Sequence, residues 1–215
     1  MKTTVLLIAI ALNLVFVSCQ KDEVVATALT VTSQIEALPT ETLNADELAS
    51  LQQMREEEKL ARDVYAALYE KWQINVFTNI LSSEQKHTDA VLTLLNKYGL
   101  ADPVGTNLVG VFTDSNLQSL YTQLVTLGST SVLDAYKVGA TIEDLDIFDL
   151  EEALSKSDNQ DIKYTYDLLT MGSRNHMRTF YSQIVILGSS YSAQFISQTE
   201  LEAIVTSAKE TGRTW

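Results

Sequence analysis

Cysteine is nearly absent: Cys19 is the only one in 215 residues. A disulfide framework, a cysteine-ligated zinc site and thiol catalysis in the folded body are thereby excluded. Proline (2) and glycine (8) are also scarce, which argues against collagen-like or broadly disordered chains. Basic residues are outnumbered, 15 Lys and Arg against 28 Asp and Glu, for a formal charge of −13. A surface this acidic repels phosphate backbones, so nucleic acid is not an expected partner, whereas cations are. The chain carries no Walker loop, Rossmann glycine pattern, HExxH zinc motif or G-x-S-x-G elbow. Nor does any segment show the apolar alternation of a convincing strand. What is present is abundant Leu, Ala, Glu and Gln in a chain long enough for one solid core. The expected fold class is all-α.

The first residues look like an address. Lys2 supplies a positive charge, and Val5 to Val17 is apolar apart from Asn13. That run is short for a membrane span and has the character of a signal-peptide core. It closes on Phe16-Val17-Ser18-Cys19, and a small residue just before a cysteine resembles a bacterial lipoprotein processing site. The following Gln20-Lys21-Asp22-Glu23 resembles the export tag of lipoproteins sent to the outer cell surface. The resemblance implies a lipoprotein signal peptide over residues 1–19 with Cys19 lipidated, an outer-membrane location exposed at the cell surface, and membrane contact through the lipid alone. Residues 20–43, rich in Thr, Val, Ala and Ser with Pro39 and no sustained helical period, are expected to be a flexible tether.

From Asn44 onward the pattern is helical. Asn44 with Glu47 predicts a capped helix running to about Trp72. A second helix is expected from after Asn75 to Gly99, followed by a long crossover through Asp102-Pro103 and Gly105 to Gly110. A shorter helix is predicted from Asp114 to Leu127, ended by Gly128. Ser131 opens a third long helix, loosened near Gly139 and ending around Ser155. Asp158 caps a fourth, running to Leu187 and Gly188, and Ser197 with Glu200 caps a last one. The similar stretches Leu120–Ser129 (LYTQLVTLGS) and Phe180–Ser189 (FYSQIVILGS) are expected to be two alike helix ends with left-handed glycines. Four long helices with a long connection between the second and third make a bundle with a crossover, over residues 44–190, plus a C-terminal helical extension over residues 191–215.

The predicted inward faces carry polar groups. Glu58 shares a stripe with Ala61, Tyr65, Leu68 and Trp72, while Glu56 and Glu57 are expected in solvent. Glu84 stands one turn before His87 on the face of Ile80, Val91 and Leu95. Glu143 and Asp146 lie with Ile147 and Leu150, and His176 with Leu169, Phe180 and Ile184. Such groups in a core are costly unless paired or bound to metal. One reading is therefore a metal site; the other is a network of ion pairs in which Arg174 or Arg178 neutralises Glu84 or Glu143.

In chain order these groups resemble the ferritin-like superfamily of carboxylate-bridged di-iron bundles, whose pattern is Glu, Glu-x-x-His, Glu, Glu-x-x-His, one element per helix. Residues 56–65 (EEEKLARDVY), 83–91 (SEQKHTDAV), 142–150 (IEDLDIFDL) and 172–177 (GSRNHM) are similar to an uncharacterised branch of it. The resemblance implies a ferritin-like four-helix bundle with metal ligands Glu58, Glu84, His87, Glu143, Asp146 and His176, supported by Tyr65 and Ser173. Ser173 stands where the family's last Glu would be, and Asp146, one turn beyond Glu143, is the expected substitute. The implied cofactor is one or two iron ions, with Mn and Zn also suited to these ligands. The implied activity is Fe(II) oxidation or peroxide reduction, with a homodimer as the expected assembly. The alternative is a non-enzymatic surface scaffold or adhesion module whose metal site has decayed.

Overall fold

Capping chemistry sets where the helices begin. The computed structural model describes residues 30–211, and within them the chain forms seven helices and no strand. They are α1 (Val31–Ala37), α2 (Ala45–Trp72), α3 (Asn75–Lys97), α4 (Ser115–Gly128), α5 (Val132–Lys156), α6 (Gln160–Ile186) and α7 (Gln198–Thr206). The leader with Cys19, residues 20–29 of the expected tether, and residues 212–215 lie outside the described residues. Asn44 Oδ1 accepts from Glu47 N at 2.9 Å while Asn44 N donates to Glu47 Oε2 at 2.9 Å, a complete capping box. Ser131 and Ser197 cap α5 and α7 through their hydroxyls, accepting from Asp134 N and Glu200 N. Gly99 and Gly188, at φ of 65° and 73°, follow the ends of α3 and α6.

Four expectations need correction. The segment expected as a tether contains α1, whose Val31 and Ile35 are buried against α3 and α6. Seven residues with two buried side chains give no sustained period, and tertiary packing supplies what propensity cannot. Lys97 Nζ holds its C-terminal end by donating to Ile35 O and Leu38 O at 2.9 and 2.8 Å. At α6 the N-cap is Asn159, not Asp158, and its side chain makes no capping bond. Glu47 of α2 takes over, accepting from Asp158 N and Asn159 N at 3.1 and 3.0 Å. Third, α5 runs unbroken through Gly139. A Cβ there would lie 2.5 Å from the Phe180 ring, so this glycine permits close packing of α5 on α6 and does not loosen the helix. Finally, only one of the two similar stretches ends on a left-handed glycine. Gly188 has φ of 73°, whereas Gly128 lies within α4 and admits the side chain of Leu68.

The two-residue link between α2 and α3 and the three-residue link between α5 and α6 make two helical hairpins. The hairpins pack α2 on α5 and α3 on α6, with α4 lying on α2 and α5 and α7 on α6. The core is split along the helix axes into two apolar clusters. One contains Tyr65, Leu68, Phe77, Ile80, Ile142, Met177 and Phe180. The other contains Met54, Val91, Leu94, Leu150, Tyr166 and Leu169. Every long helix crosses from one cluster to the other, and at each crossing it presents polar side chains: Glu58, Glu84 with His87, Glu143 with Asp146, and Ser173 with His176. No helix among the described residues is long and apolar enough to cross a membrane.

Candidate metal centre

A one-turn break in four apolar stripes, all at one level, builds a polar layer inside the core. Glu58, Glu84 and Glu143 are each 1% exposed, His87 and Ser173 are fully buried, and His176 and Asp146 are nearly so. His87 Nδ1 lies 2.9 Å from Glu84 Oε2 and 3.2 Å from Glu58 Oε2. His176 Nδ1 lies 2.8 Å from Glu84 Oε1 and 3.4 Å from Glu143 Oε2. Two groups of potential metal ligands result, Glu58–Glu84–His87 and Glu84–Glu143–His176, and Glu84 belongs to both. Its two oxygens face different imidazoles. The rings of His87 and His176 stack with centroids 5.6 Å apart.

Several polar atoms of the layer lie close together without making a hydrogen bond. Glu84 Oε1 and His176 Nδ1, although close, are not aligned as a hydrogen bond, and Glu58 Oε1 has no hydrogen-bond partner. Unpartnered buried oxygens and ring nitrogens are expensive in a metal-free core. On α6, Gly172 allows the close seat of His87: a Cβ there would stand 2.5 Å from the His87 Nε2.

The electrostatics follow from burial acting against mutual attraction. Burial alone would raise Glu84, but His176 and His87 outweigh it and hold the carboxyl well below its usual range. Burial raises Glu58 to about 7 despite His87. Glu143 is likewise raised by burial, against the pull of His176. Burial would lower both imidazoles, yet Glu84 and Glu58 lift His87 well above its ordinary value, and Glu84 and Glu143 lift His176 to about 9. In the absence of metal, protons on the imidazoles supply the counter-charge for Glu84.

Of the residues the sequence singled out, five come together as ligand groups and Asp146 does not join them. Its carboxyl bonds instead to Ser173 Oγ, which also lies 3.0 Å from Leu169 O. Burial, then Glu58 and Glu143, push Asp146 well above the carboxylate range. Tyr65 supports the layer by donating to Glu143 Oε1 at 2.5 Å, and burial followed by Glu143 raises its phenol well above 10. The arginines suggested as neutralising partners point elsewhere. Arg174 pairs with Glu210 at 2.6 Å, and Arg178 with Glu210, Ile204 O and Asn175.

Glu56 is buried, contrary to expectation, and Glu57 is half-buried. Glu56 is 4% exposed and accepts from Thr113 N and Asp114 N at 2.6 and 2.9 Å, fixing the crossover onto α2. Lys59 and Asp63, both fully buried, pair with each other and bind Leu108 O and Gly110 N of the same crossover. Glu57 is raised by burial and Asp149 to about 8, and its Oε2 has no hydrogen-bond partner. A run of charged residues flanking one apolar stripe gives no sign that an irregular segment will cover it. The only signal in the sequence is the crossover's length, which leaves many backbone amides in need of acceptors.

An uncharacterized protein domain (DUF2202) matches residues 47–208 of the chain. The uncharacterized protein MJ0754 of Methanocaldococcus jannaschii is 51% identical over 178 residues, covering 83% of this chain and 96% of that protein. The crystal structure of hypothetical protein MJ0754 from Methanococcus jannaschii DSM 2661 resembles this fold with a TM-score of 0.79, over 81% of this chain and 99% of that one.

Proposed function

The chain belongs to the DUF2202 family, and from that premise we propose that it is a ferritin-like cell-envelope protein that binds one or two transition-metal ions, iron foremost, within its helical core. The observation that carries this reading is Glu84: one buried carboxylate whose two oxygens face two imidazoles, each group completed by a further buried glutamate. The donor set fits the metal. Carboxylate oxygen and imidazole nitrogen suit Fe, Mn and Zn, and the unpartnered Glu58 Oε1 and the misaligned Glu84–His176 pair are atoms a cation would satisfy.

In this reading Glu84, common to both groups, would hold metal together with Glu58 and His87 on one side and with Glu143 and His176 on the other. Tyr65 fixes the rotamer of Glu143 through its hydroxyl, and Gly172 lets His87 approach α6. A bound iron would supply one-electron chemistry toward dioxygen or peroxide. The chain's contribution is to exclude water between two apolar clusters and to release the imidazole protons as ligands form. Ser173 and Asp146 hold each other and leave the second side short of one carboxylate. The same pairing favours the second reading, a scaffold or adhesion module whose site no longer holds metal. On either reading Cys19 is lipidated and the domain is carried on the outer membrane at the cell surface.

The test is elemental analysis of the purified protein after anaerobic and aerobic loading with Fe(II). Two irons per chain, with an oxo-bridged absorption after air, is the result expected of a di-iron oxidase-type site. One metal assigns a mononuclear site built on Glu84, and none with the fold intact rules the metal reading out in favour of the scaffold.

A further inference from the structure

The polar layer is closed on one side and approached by a cavity on the other. On the α3–α6 side His87 lies directly against the backbone of Gly172, with no space for even a methyl group. Where α2 and α5 face α4, an apolar pocket of about 30 Å³ is lined by Leu60, Ala61, Leu124, Ile142 and Leu145. Phe195, 42% exposed, lies on its outer rim, while Asp146, 9% exposed, is the wall it shares with the layer. Asp146 is in turn close enough to Glu58 and Glu143 for both to act on its charge.

Size and lining select the occupant. A cavity of this volume has room for a small molecule, since roughly 10–15 Å³ is the least that holds a water-sized guest. Apart from Asp146, Thr141 and Glu57, the walls are hydrocarbon, and apolar cavities stay dry and take up weakly polar guests. A hydrated cation or a charged peroxide anion would lose its water there with little in exchange. We propose that this pocket binds a small uncharged gas of the dioxygen class and delivers it to the carboxylate layer at Asp146. The binding site stands on the cavity alone, whereas the delivery rests on the metal reading above.

Xenon is the probe for the site. Crystals of the protein pressurised with xenon should show it between Ala61, Leu124 and Ile142, with or without metal, and a pocket left empty overturns the proposal. Leu145→Trp, placed at the half-buried rim, should abolish xenon uptake. In Fe(II)-loaded protein it should slow oxidation, in which each Fe(II) gives one electron to dioxygen, several-fold at unchanged metal content. Lost xenon with an unchanged oxidation rate overturns delivery through this pocket. Leu120→Trp fills the same space from α4 and replaces the first variant if that one does not fold. A wild-type protein that takes up xenon but no metal would refute the metal reading and with it the delivery role, while leaving the gas site standing.

Discussion

Two carboxyls in the same layer are shifted in opposite directions, because one has two imidazoles against it and the other is buried beside two further carboxyls. His176 and His87 keep Glu84 ionised against the effect of burial, whereas burial, Glu58 and Glu143 shift Asp146 toward its neutral form. Asp146→Asn therefore fixes the uncharged form that the surroundings favour in a group of the same shape, and the amide can still bond Ser173. It should change stability by less than about 1 kcal/mol and leave metal content unaltered. Glu84→Gln removes the charge that both imidazolium groups face and leaves them buried without a shared partner. It should cost about 3–5 kcal/mol in the metal-free protein and abolish metal binding. Urea titrations with metal analysis of both variants check the pair. Loss of metal in Asp146→Asn would restore Asp146 to the ligand set that the ferritin-like pattern assigned it. The inward placement of Glu58, Glu84, His87, Glu143 and His176 was legible because each sits one helical turn from a large apolar residue. The diversion of Asp146 onto Ser173 was not, since a side chain's choice between two neighbours depends on distances across helices.

At the scale of elements, local chemistry was the readable part. Asn44 with Glu47, Ser131, Ser197 with Glu200, Gly99 and Gly188 mark helix ends by bonds to residues within a turn or two, so spacing alone exposes them. Contacts made across helices left no comparable trace. Glu47 caps α6 from α2, Glu56 caps the approach to α4, and α1 docks through two side chains. Gly139 shows why the local reading fails in such places. By propensity a mid-helix glycine weakens α5, and alanine should gain about 1 kcal/mol. The position faces Phe180, however, whose ring carbons lie 2.5 to 2.7 Å from where the Cβ would be, and that ring also packs on Tyr65 and Phe77. Gly139→Ala should consequently destabilise by about 1–3 kcal/mol through displacement of α6. Thermal unfolding measures the sign. An alanine variant more stable than wild type would mean that Phe180 relaxes freely and that the α5–α6 spacing is not set by this contact.

The whole molecule is a core interrupted by charge, and pH should reveal what the interruption is for. His176 has a folded value of about 9, above the ordinary 6.5, so the stability it contributes to the metal-free protein is complete below pH 6.5 and is lost as pH rises through about 9. Glu58, raised from 4.5 to about 7, acts in the same direction over a lower window, and Glu143 is raised as well. Glu84 is shifted downward, so its contribution is already complete above about pH 4.5 and stays constant over the range that matters. From pH 6.5 to 9 the metal-free layer therefore loses protons that hold its carboxylates together. On the metal reading a bound divalent ion would take their place and would need neutral imidazoles, so metal affinity should rise over the same interval. Ligand linkage adds about 4 kcal/mol to stability at a thousandfold excess over Kd. Anaerobic Mn(II), which avoids oxidation, should thus raise the melting temperature at pH 6.5 and raise it further at pH 9, while the metal-free protein melts progressively lower. The Glu84→Gln variant should show no Mn(II)-dependent shift at either pH. A metal-free protein whose melting temperature stays flat across this range, with no response to Mn(II), would mean that the layer is a self-sufficient ion-pair network and that the two apolar clusters are separated for structural reasons alone.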